Sequence, residues 1–553
     1  MSAQEKTRVL LKGTAILAAA ALISKLLGVI YRIPYQNITG DLGFYVYQQV
    51  YPLYSLLLIL ATAGFPIAIS KLVAERIALG DDHGAKRIFK VSSIVLSVTG
   101  VFFFFVLYAS APGIAAWIED PELIMPIRSV AYALLVVPIM AAIRGYFQGH
   151  QNMVPTAVSQ VVEQIVRVAT ILILSYWFIH NDYGVYYAGA GAVFGAFTGA
   201  IAALMVLLFF FKKDQSTTMN RSNNEDGLTE ESKKLAQAEF SQLSNWYLMK
   251  RILYYAIPIC LGALVLPLFQ LVDTLSVVKL LIHSNWEHEM ARVMKGVFDR
   301  GQPLIQFAAF FATALSLALV PAISEANAKK DYQLIAARSE IAMRITLFLG
   351  LAASVGLAVI AEPVNIMLYK TNEGSLTLAV LAFTTIFSTL GLASGAILQG
   401  LGNVFLPARN LFFGVLLKTL LNILLIPIWG ITGAAIATVA AYSLATGLNL
   451  VALHKLTRLQ VSFSNFFAKP LLAVVSMGLG VWLTKLGLTN AFAQVLDSER
   501  LLYTIVSLPS VLIGAIIYAV CLLRFGAITR KEIVSIPKVN KLVPLFDRLK
   551  ILK

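Results

Sequence analysis

Ala188 through Phe211 runs as AGAGAVFGAFTGAIAALMVLLFFF, without one charged residue. A stretch of roughly 18 or more such residues is long enough to cross a bilayer as a helix. Ile94–Tyr108 and Val168–Ile179 with its flanks read the same way. Such runs leave little room for any fold but a multi-spanning membrane protein. Composition agrees: 58% of residues are hydrophobic and 13% charged, where soluble domains average about 45–50% and about 25%. A soluble fold of this chain would have no polar surface to show water.

The net charge of +15 could suggest nucleic acid. Its distribution excludes that reading, because the basic residues gather in alternate loops. The two cysteines, Cys260 and Cys521, sit inside apolar runs, so no disulfide framework or CxxC site is available. The basic N-terminus runs into an apolar stretch continuing to about Ile30, interrupted by Lys25, which reads as a retained first helix.

Fourteen spans are expected, at approximately 13–36, 46–79, 88–110, 123–148, 158–179, 186–211, 250–281, 300–325, 337–361, 374–401, 408–428, 431–454, 467–487 and 501–524. Loops holding Lys86, Arg87, Lys90, Lys212, Lys213, Lys329, Lys330, Arg338, Lys455 and Arg458 alternate with loops that lean acidic through Asp41, Glu119, Asp120, Glu122, Asp182, Asp497 and Glu499. Basic loops stay inside, so both termini are expected in the cytoplasm. The polar stretch Lys212–Asn245 reads as a flexible cytoplasmic linker. The expected organisation is an N-terminal six-helix lobe (1–211), a cytoplasmic linker (212–249), a C-terminal six-helix lobe (250–455), two additional helices (456–524) and a basic cytoplasmic tail (525–553).

A faint repeat supports the two lobes. GYFQGHQNMVP, with Gln148, Gly149 and Pro155, answers AILQGLGNVFLP, with Gln399, Gly400 and Pro407; GFPIAIS from Gly64 answers LVPAIS from Leu319. Six spans per unit make the repeats parallel, and transporters built from repeats hold substrate where the repeats meet.

Ionisable residues inside spans cost about 2.5–3.5 kcal/mol each and point to function. Lys25 lies about 18 Å into span one, and Arg32, seven residues on, projects from the same helix face. Asp299 and Arg300 open span eight, Asp273 lies in the outer half of span seven, and Lys418 lies mid-span eleven with Asp273 its leading partner. Glu163 and Arg167, spaced i,i+4, can pair with each other. Arg144 and Arg344 sit near cytoplasmic ends and can snorkel. Pro258, Pro267, Pro303 and Pro321 bracket spans seven and eight and suggest bent, movable helices. No GxxxxGK[ST] loop, HExxH motif or Cys/His cluster is present. With the longest outer loop only at about His283–Gly296, an enzyme is not expected, and neither a cofactor nor a metal is.

ISKLLGVIYRIP in span one, AGFPIAISK, RGYFQGHQNMVPTAVSQVVEQIVR and DRGQPLIQFAAFFATALSLALVPAISE resemble the multidrug/oligosaccharidyl-lipid/polysaccharide exporter superfamily. Within it they look like the polysaccharide-transporter and lipid II flippase branches of Gram-positive bacteria, including the stage V sporulation protein B type. The resemblance spans nearly the whole chain. It implies an all-α, V-shaped pair of six-helix lobes plus two C-terminal helices, in the cell membrane. It also implies a cationic central cavity for the diphosphate and sugars of an undecaprenyl-linked precursor. Lys25 matches the first basic position of the family's Ser-Arg/Lys-x-x-Gly motif, here Ser24 to Gly28, and Arg300 matches the Asp-Arg opening of span eight. Arg32 falls one position from the second basic residue. Leu53-Tyr54-Ser55-Leu56 follow Pro52 where flippases of the Gram-negative type carry arginines.

The expected substrate-binding set is therefore Lys25, Arg32 and Arg300, with Asp273 and Lys418 as a coupling or structural ion pair, and Asp299, Glu163 and Arg167 as secondary candidates. The expected function is export of a lipid-linked saccharide by alternating access, coupled to membrane potential, H+ or Na+, with cell-wall synthesis proteins as candidate partners. Two alternatives stay open: a drug or cation antiporter, which would favour acidic cavity residues, and a membrane-bound polymerase or ligase, which short outer loops disfavour.

Overall fold

In hydrocarbon every backbone N–H and C=O must find its partner within the protein, and among the described residues the elements are helical. The computed structural model describes residues 3–221, 240–457 and 464–528. Ten of its segments are long and apolar enough to cross a membrane. Two of the ten are too long for one crossing: Ala15–Ala78 and Phe405–Thr457, of 64 and 53 residues.

Both double back. In the first, α1 (Ala3–Ile30) leads into α2 (Arg32–Thr62), which is interrupted at Gly40 with φ 71° and ψ −174°. Tyr31 and Tyr47 are 16 residues apart, yet their hydroxyls meet at 2.6 Å. A straight helix would separate them by about 24 Å. The positive φ at Gly40 is strained for any residue with a Cβ, and it reverses the chain in a single residue. The expected loop at 37–45 is thus helix on both sides of that point. Phe405–Thr457 repeats the device at Gly430 (φ 54°). Asn410 and Asn449, 39 residues apart, share a 2.8 Å hydrogen bond.

The chain divides into two compact units, 1–279 and 280–553. In the first, α3 (Phe65–Ala78), α4 (Asp82–Ile118), α5 (Ile124–Ala131), α6 (Ala133–Gly149), α7 (Val154–His180) and α8 (Val185–Arg221) follow the α1–α2 hairpin. Next come α9 (Asn245–Ala263), which packs on α2, α3 and α4, and α10 (Val265–His283), most of which lies in this unit. Gly64 shows how close α9 comes: a Cβ there would lie 2.1 Å from the Ala256 carbonyl oxygen.

The second unit holds α11 (His288–Asp299), α12 (Gly301–Ala328), α13 (Tyr332–Val359), α14 (Ala361–Tyr369), α15 (Ser375–Ala382), α16 (Thr384–Gly400), the folded-back α17 (Phe405–Thr457), α18 (Lys469–Phe492) and α19 (Glu499–Arg524). Part of the expected outer loop at 283–296 is helix α11. Of the expected flexible linker, residues 212–221 continue α8 as helix, since extending an existing helix is easier than starting one. Residues 222–239 and the basic tail beyond Ile528 lie outside the described residues.

The sequence repeat has a packing counterpart. Gly149 closes α6 against α3, where an added Cβ would lie 2.6 Å from Val73 Cβ and 3.0 Å from the Ser70 carbonyl oxygen. Gly400 closes α16 against α12, where the same atom would lie 2.7 Å from Ile323 Cβ and 3.0 Å from the Val320 carbonyl oxygen. Expected span four breaks at Tyr132 and expected span ten at Phe383. Each unit carries the same one-residue interruption and the same close contact.

Candidate functional site

The folded-back hairpin concentrates polar side chains inside the first unit. Tyr47, Tyr51 and Tyr54 recur at helical spacing along α2, so they form one row. Tyr47 stacks on Tyr51 at 5.9 Å between ring centroids, and Tyr51 meets Tyr54 edge-on at 6.2 Å. Tyr35 packs on Tyr47 at 5.4 Å, and Tyr31 joins the row through its hydroxyl. Arg32 is 8% exposed, with the phenols of Tyr31, Tyr47 and Tyr51 around it.

Arg167 faces the other end of the row, beside Tyr54 and Tyr51. Its guanidinium is 2.5 Å from Glu163, which also binds Arg144 of α6 at 3.0 Å. Arg144 further donates to Ser159 Oγ at 3.0 Å. The i,i+4 pair expected from sequence is therefore a three-residue bridge between helices, and Arg144, expected to snorkel, is its third member. Packing around it is tight, because a Cβ on Gly199 of α8 would lie 2.7 Å from the Glu163 carbonyl oxygen. Three arginines and one carboxylate, with the tyrosine row running between Arg32 and Arg167, give this ladder positive charge and many hydrogen-bond donors. Both suit phosphate and sugar oxygens.

Lys25 and Arg32 do not share an environment. In the Ser24–Gly28 motif, Ser24 donates to the Gln160 carbonyl at 3.3 Å, and a Cβ on Gly28 would meet Gln164 at 3.4 Å. The small residues face α7, and Lys25 is exposed. Asp273 is buried in α10, next to Thr274, whose carbonyl accepts a 2.5 Å hydrogen bond from Gln49.

In the second unit Arg300 is buried between α11 and α12. It donates to the Glu373 carbonyl at 2.8 Å and lies over the Tyr369 ring at 5.2 Å. The Tyr369 hydroxyl donates back to the Arg300 carbonyl at 3.0 Å. Asp299 accepts from Lys295 at 2.5 Å. Sequence reasoning missed Lys295, although its i,i+4 spacing to Asp299 was a usable signal; it missed the tyrosine row as well. Lys418 and Asn422, one turn apart on α17, are both buried. Among the described residues no group of three His, Cys, Asp or Glu could hold a metal ion.

Comparison with known proteins places this arrangement. Residues 10–327, more than half of the chain, match the family described as "Polysaccharide biosynthesis protein". The chain belongs to that family. Residues 301–502 match the family "Lipid II flippase MurJ", which sets this polysaccharide biosynthesis protein in the multidrug/oligosaccharidyl-lipid/polysaccharide superfamily. Among its relatives from Bacillus subtilis (strain 168), the uncharacterized membrane protein YabM is 36% identical, with 97% of this chain and 96% of that protein covered. The lipid II flippase MurJ is 31% identical (94% and 95% covered), and stage V sporulation protein B is 29% identical (96% and 98%). The family fold is shared with lipid II flippase MurJ in an inward closed conformation, at TM-score 0.63 and 14% identity, with 92% of this chain and 98% of that one covered. A MATE-family multidrug transporter, inward-facing, gives 0.64 and 14% over 79% and 94%. The chain is a multi-pass membrane protein of the lipid-linked saccharide flippase family.

Proposed function

We propose that this protein translocates an undecaprenyl-diphosphate-linked saccharide, peptidoglycan lipid II or another envelope precursor, across the cytoplasmic membrane by alternating access. The observation that carries the proposal is similarity to the lipid II flippase MurJ of Bacillus subtilis over 94% of this chain. The chemistry supports it. A diphosphate crosses hydrocarbon only with counter-charge and hydrogen bonds supplied, and the first unit holds Arg32 and Arg167 beside tyrosines, with Arg167 and Arg144 sharing Glu163. A cation antiporter would need the opposite balance.

The proposal extends to fourteen spans with both termini cytoplasmic. The hairpins at Gly40 and Gly430 turn two long segments into four spans, and the region 245–328 supplies the remaining two. Lys25, Arg32 and Arg300 are proposed as substrate-binding residues, and Asp273 with Lys418 as a coupled pair through which membrane potential or an ion gradient acts. Depletion of the protein followed by analysis of lipid-linked intermediates tests the function. The expected result is accumulation of one undecaprenyl-diphosphate saccharide. Unchanged levels of all such lipids, with envelope synthesis intact, would overturn it.

A further inference from the structure

On the first unit, where the turns at Glu119–Asp120 and Asp182–Gly184 leave the membrane, α4, α5 and α8 surround a cavity of about 590 Å³. The charge pattern makes this the outer side. The volume falls within the roughly 300–1,000 Å³ of small-molecule sites. The cavity is separate from the arginine–tyrosine ladder, and nothing in the transport proposal uses it.

Its lining has an unusual composition. Tyr108, Tyr132, Tyr186 and Tyr187 contribute rings, while Arg128 and Glu122 contribute opposite charges. The Arg128 guanidinium lies over the Tyr108 ring at 4.8 Å, and among the described residues no carboxylate pairs with it. Its charge and N–H groups are held in place by a ring face, a contact that leaves their hydrogen-bonding capacity for a ligand.

The wall is braced from behind. Asp120 is fully buried and accepts hydrogen bonds from the hydroxyls of Tyr186, at 2.9 Å, and Tyr45, at 3.0 Å. Ser129 donates to the Ala190 carbonyl at 2.8 Å, pinning α5 to α8. Tyr108 and Tyr132 meet edge-on at 6.2 Å. These contacts fix the rings before any ligand arrives, which lowers the ordering cost of binding.

A ligand for this cavity needs apolar faces for the rings together with groups that both donate to Glu122 and accept from Arg128. An acyl chain supplies only the first, and a bare phosphate meets repulsion from Glu122. A sugar ring supplies both, through its C–H faces and its hydroxyls. We infer that the cavity is a saccharide-binding subsite on the outer side of the first unit, where the glycan of the cargo is held after translocation. The identity of the sugar as cargo rests on the transport proposal above; the sugar binding itself does not.

Saturation-transfer NMR on the full-length protein in nanodiscs tests it, with soluble lactose, maltose and N,N′-diacetylchitobiose as probes and glycerol 1-phosphate as the headgroup control. The expected result is transfer to the ring protons of at least one disaccharide. Arg128→Gln and the cavity-filling Met125→Trp should each reduce it at least fivefold, and the distant Lys330→Ala should leave it unchanged. Tyr187→Ala, at an exposed ring of the mouth, gives the same reading if either variant fails to fold. No transfer to any sugar, transfer that the variants leave intact, or transfer to glycerol 1-phosphate alone would overturn the subsite. Wild-type protein that flips a lipid-linked saccharide yet binds no sugar in this cavity would sink the subsite and leave the transport reading standing. Sugar binding without any flipping would do the reverse.

Discussion

Gly149 and Gly400 offer a test of the internal repeat that needs no knowledge of the cargo. An alanine Cβ at Gly149 would sit 2.6 Å from both Cβ and Cγ1 of Val73, and at Gly400 2.7 and 2.9 Å from Cβ and Cγ2 of Ile323. Carbon pairs are comfortable at about 3.5–4.0 Å, so each substitution forces the helices apart by about 1 Å or distorts both. The Ser70 and Val320 carbonyl oxygens, 3.0 Å away on the same neighbouring helix, are backbone and cannot rotate clear. Overpacking of this kind costs about 1–3 kcal/mol. Gly447, inside the second arm of α17, is the control: a Cβ there meets nothing within 4 Å, and alanine in an open helix position gains up to about 1 kcal/mol. Purified variants in mild detergent, unfolded reversibly by SDS titration, should show Gly149→Ala and Gly400→Ala each destabilised by about 1–3 kcal/mol. Gly447→Ala should be neutral or more stable. If all three variants agree within about 0.5 kcal/mol, a range typical of inert surface changes, the close contacts and the repeat built on them are wrong.

Glu163→Gln leaves Arg144 and Arg167, whose side chains are 13% and 15% exposed, without their shared carboxylate; a loss of about 3 kcal/mol is expected, near the lower end for a broken buried pair, and the same SDS titration reads it. Gly40→Ala, with open space around the Cβ but φ 71° and ψ −174°, should cost about 1–3 kcal/mol from backbone strain alone; a stabilised variant would argue against reversal at that residue. Asp273→Asn and Lys418→Met should each impair folding or transport while the double variant recovers, and a double-mutant cycle with no coupling energy would remove the pair. For topology, a cysteine at Asp182 should react with an impermeant maleimide added outside intact cells and one at Lys330 should not; the opposite pattern would invert the orientation.

The helices and the approximate span limits were readable because a bilayer imposes one simple rule, about twenty apolar residues per crossing. The repeat was visible in Gln148-Gly149 and Gln399-Gly400, where the packing leaves no room for a Cβ at either glycine. What stayed hidden depends on contacts across the fold. Tyr31 and Tyr47 look like unrelated aromatics until Gly40 turns the chain back in one residue, and a polar QNITGD stretch gives no sign that it is helix on both sides. Glu163 and Arg167 announce themselves by spacing, but Arg144 joins them from another helix. Lys25 and Arg32 share a face by spacing, yet Lys25 is exposed while Arg32 is buried among Tyr31, Tyr47 and Tyr51, a difference set by the returning arm of α2. Arg300 was legible as a buried charge, whereas its hold on the Glu373 carbonyl depends on where α14 and α15 return.

The most direct test of the central claim is flipping by the purified protein in proteoliposomes. Fluorescent undecaprenyl-diphosphate saccharides, lipid II among them, are placed in both leaflets, and an impermeant reductant quenches the outer pool. With functional protein the account predicts that quenching of at least one of these lipids proceeds from the outer half toward the whole. That gain should be lost in Arg32→Ala and Arg300→Ala variants that remain folded. Quenching that stops at the outer leaflet for every lipid-linked saccharide, under an imposed membrane potential and under H+ and Na+ gradients, would contradict it.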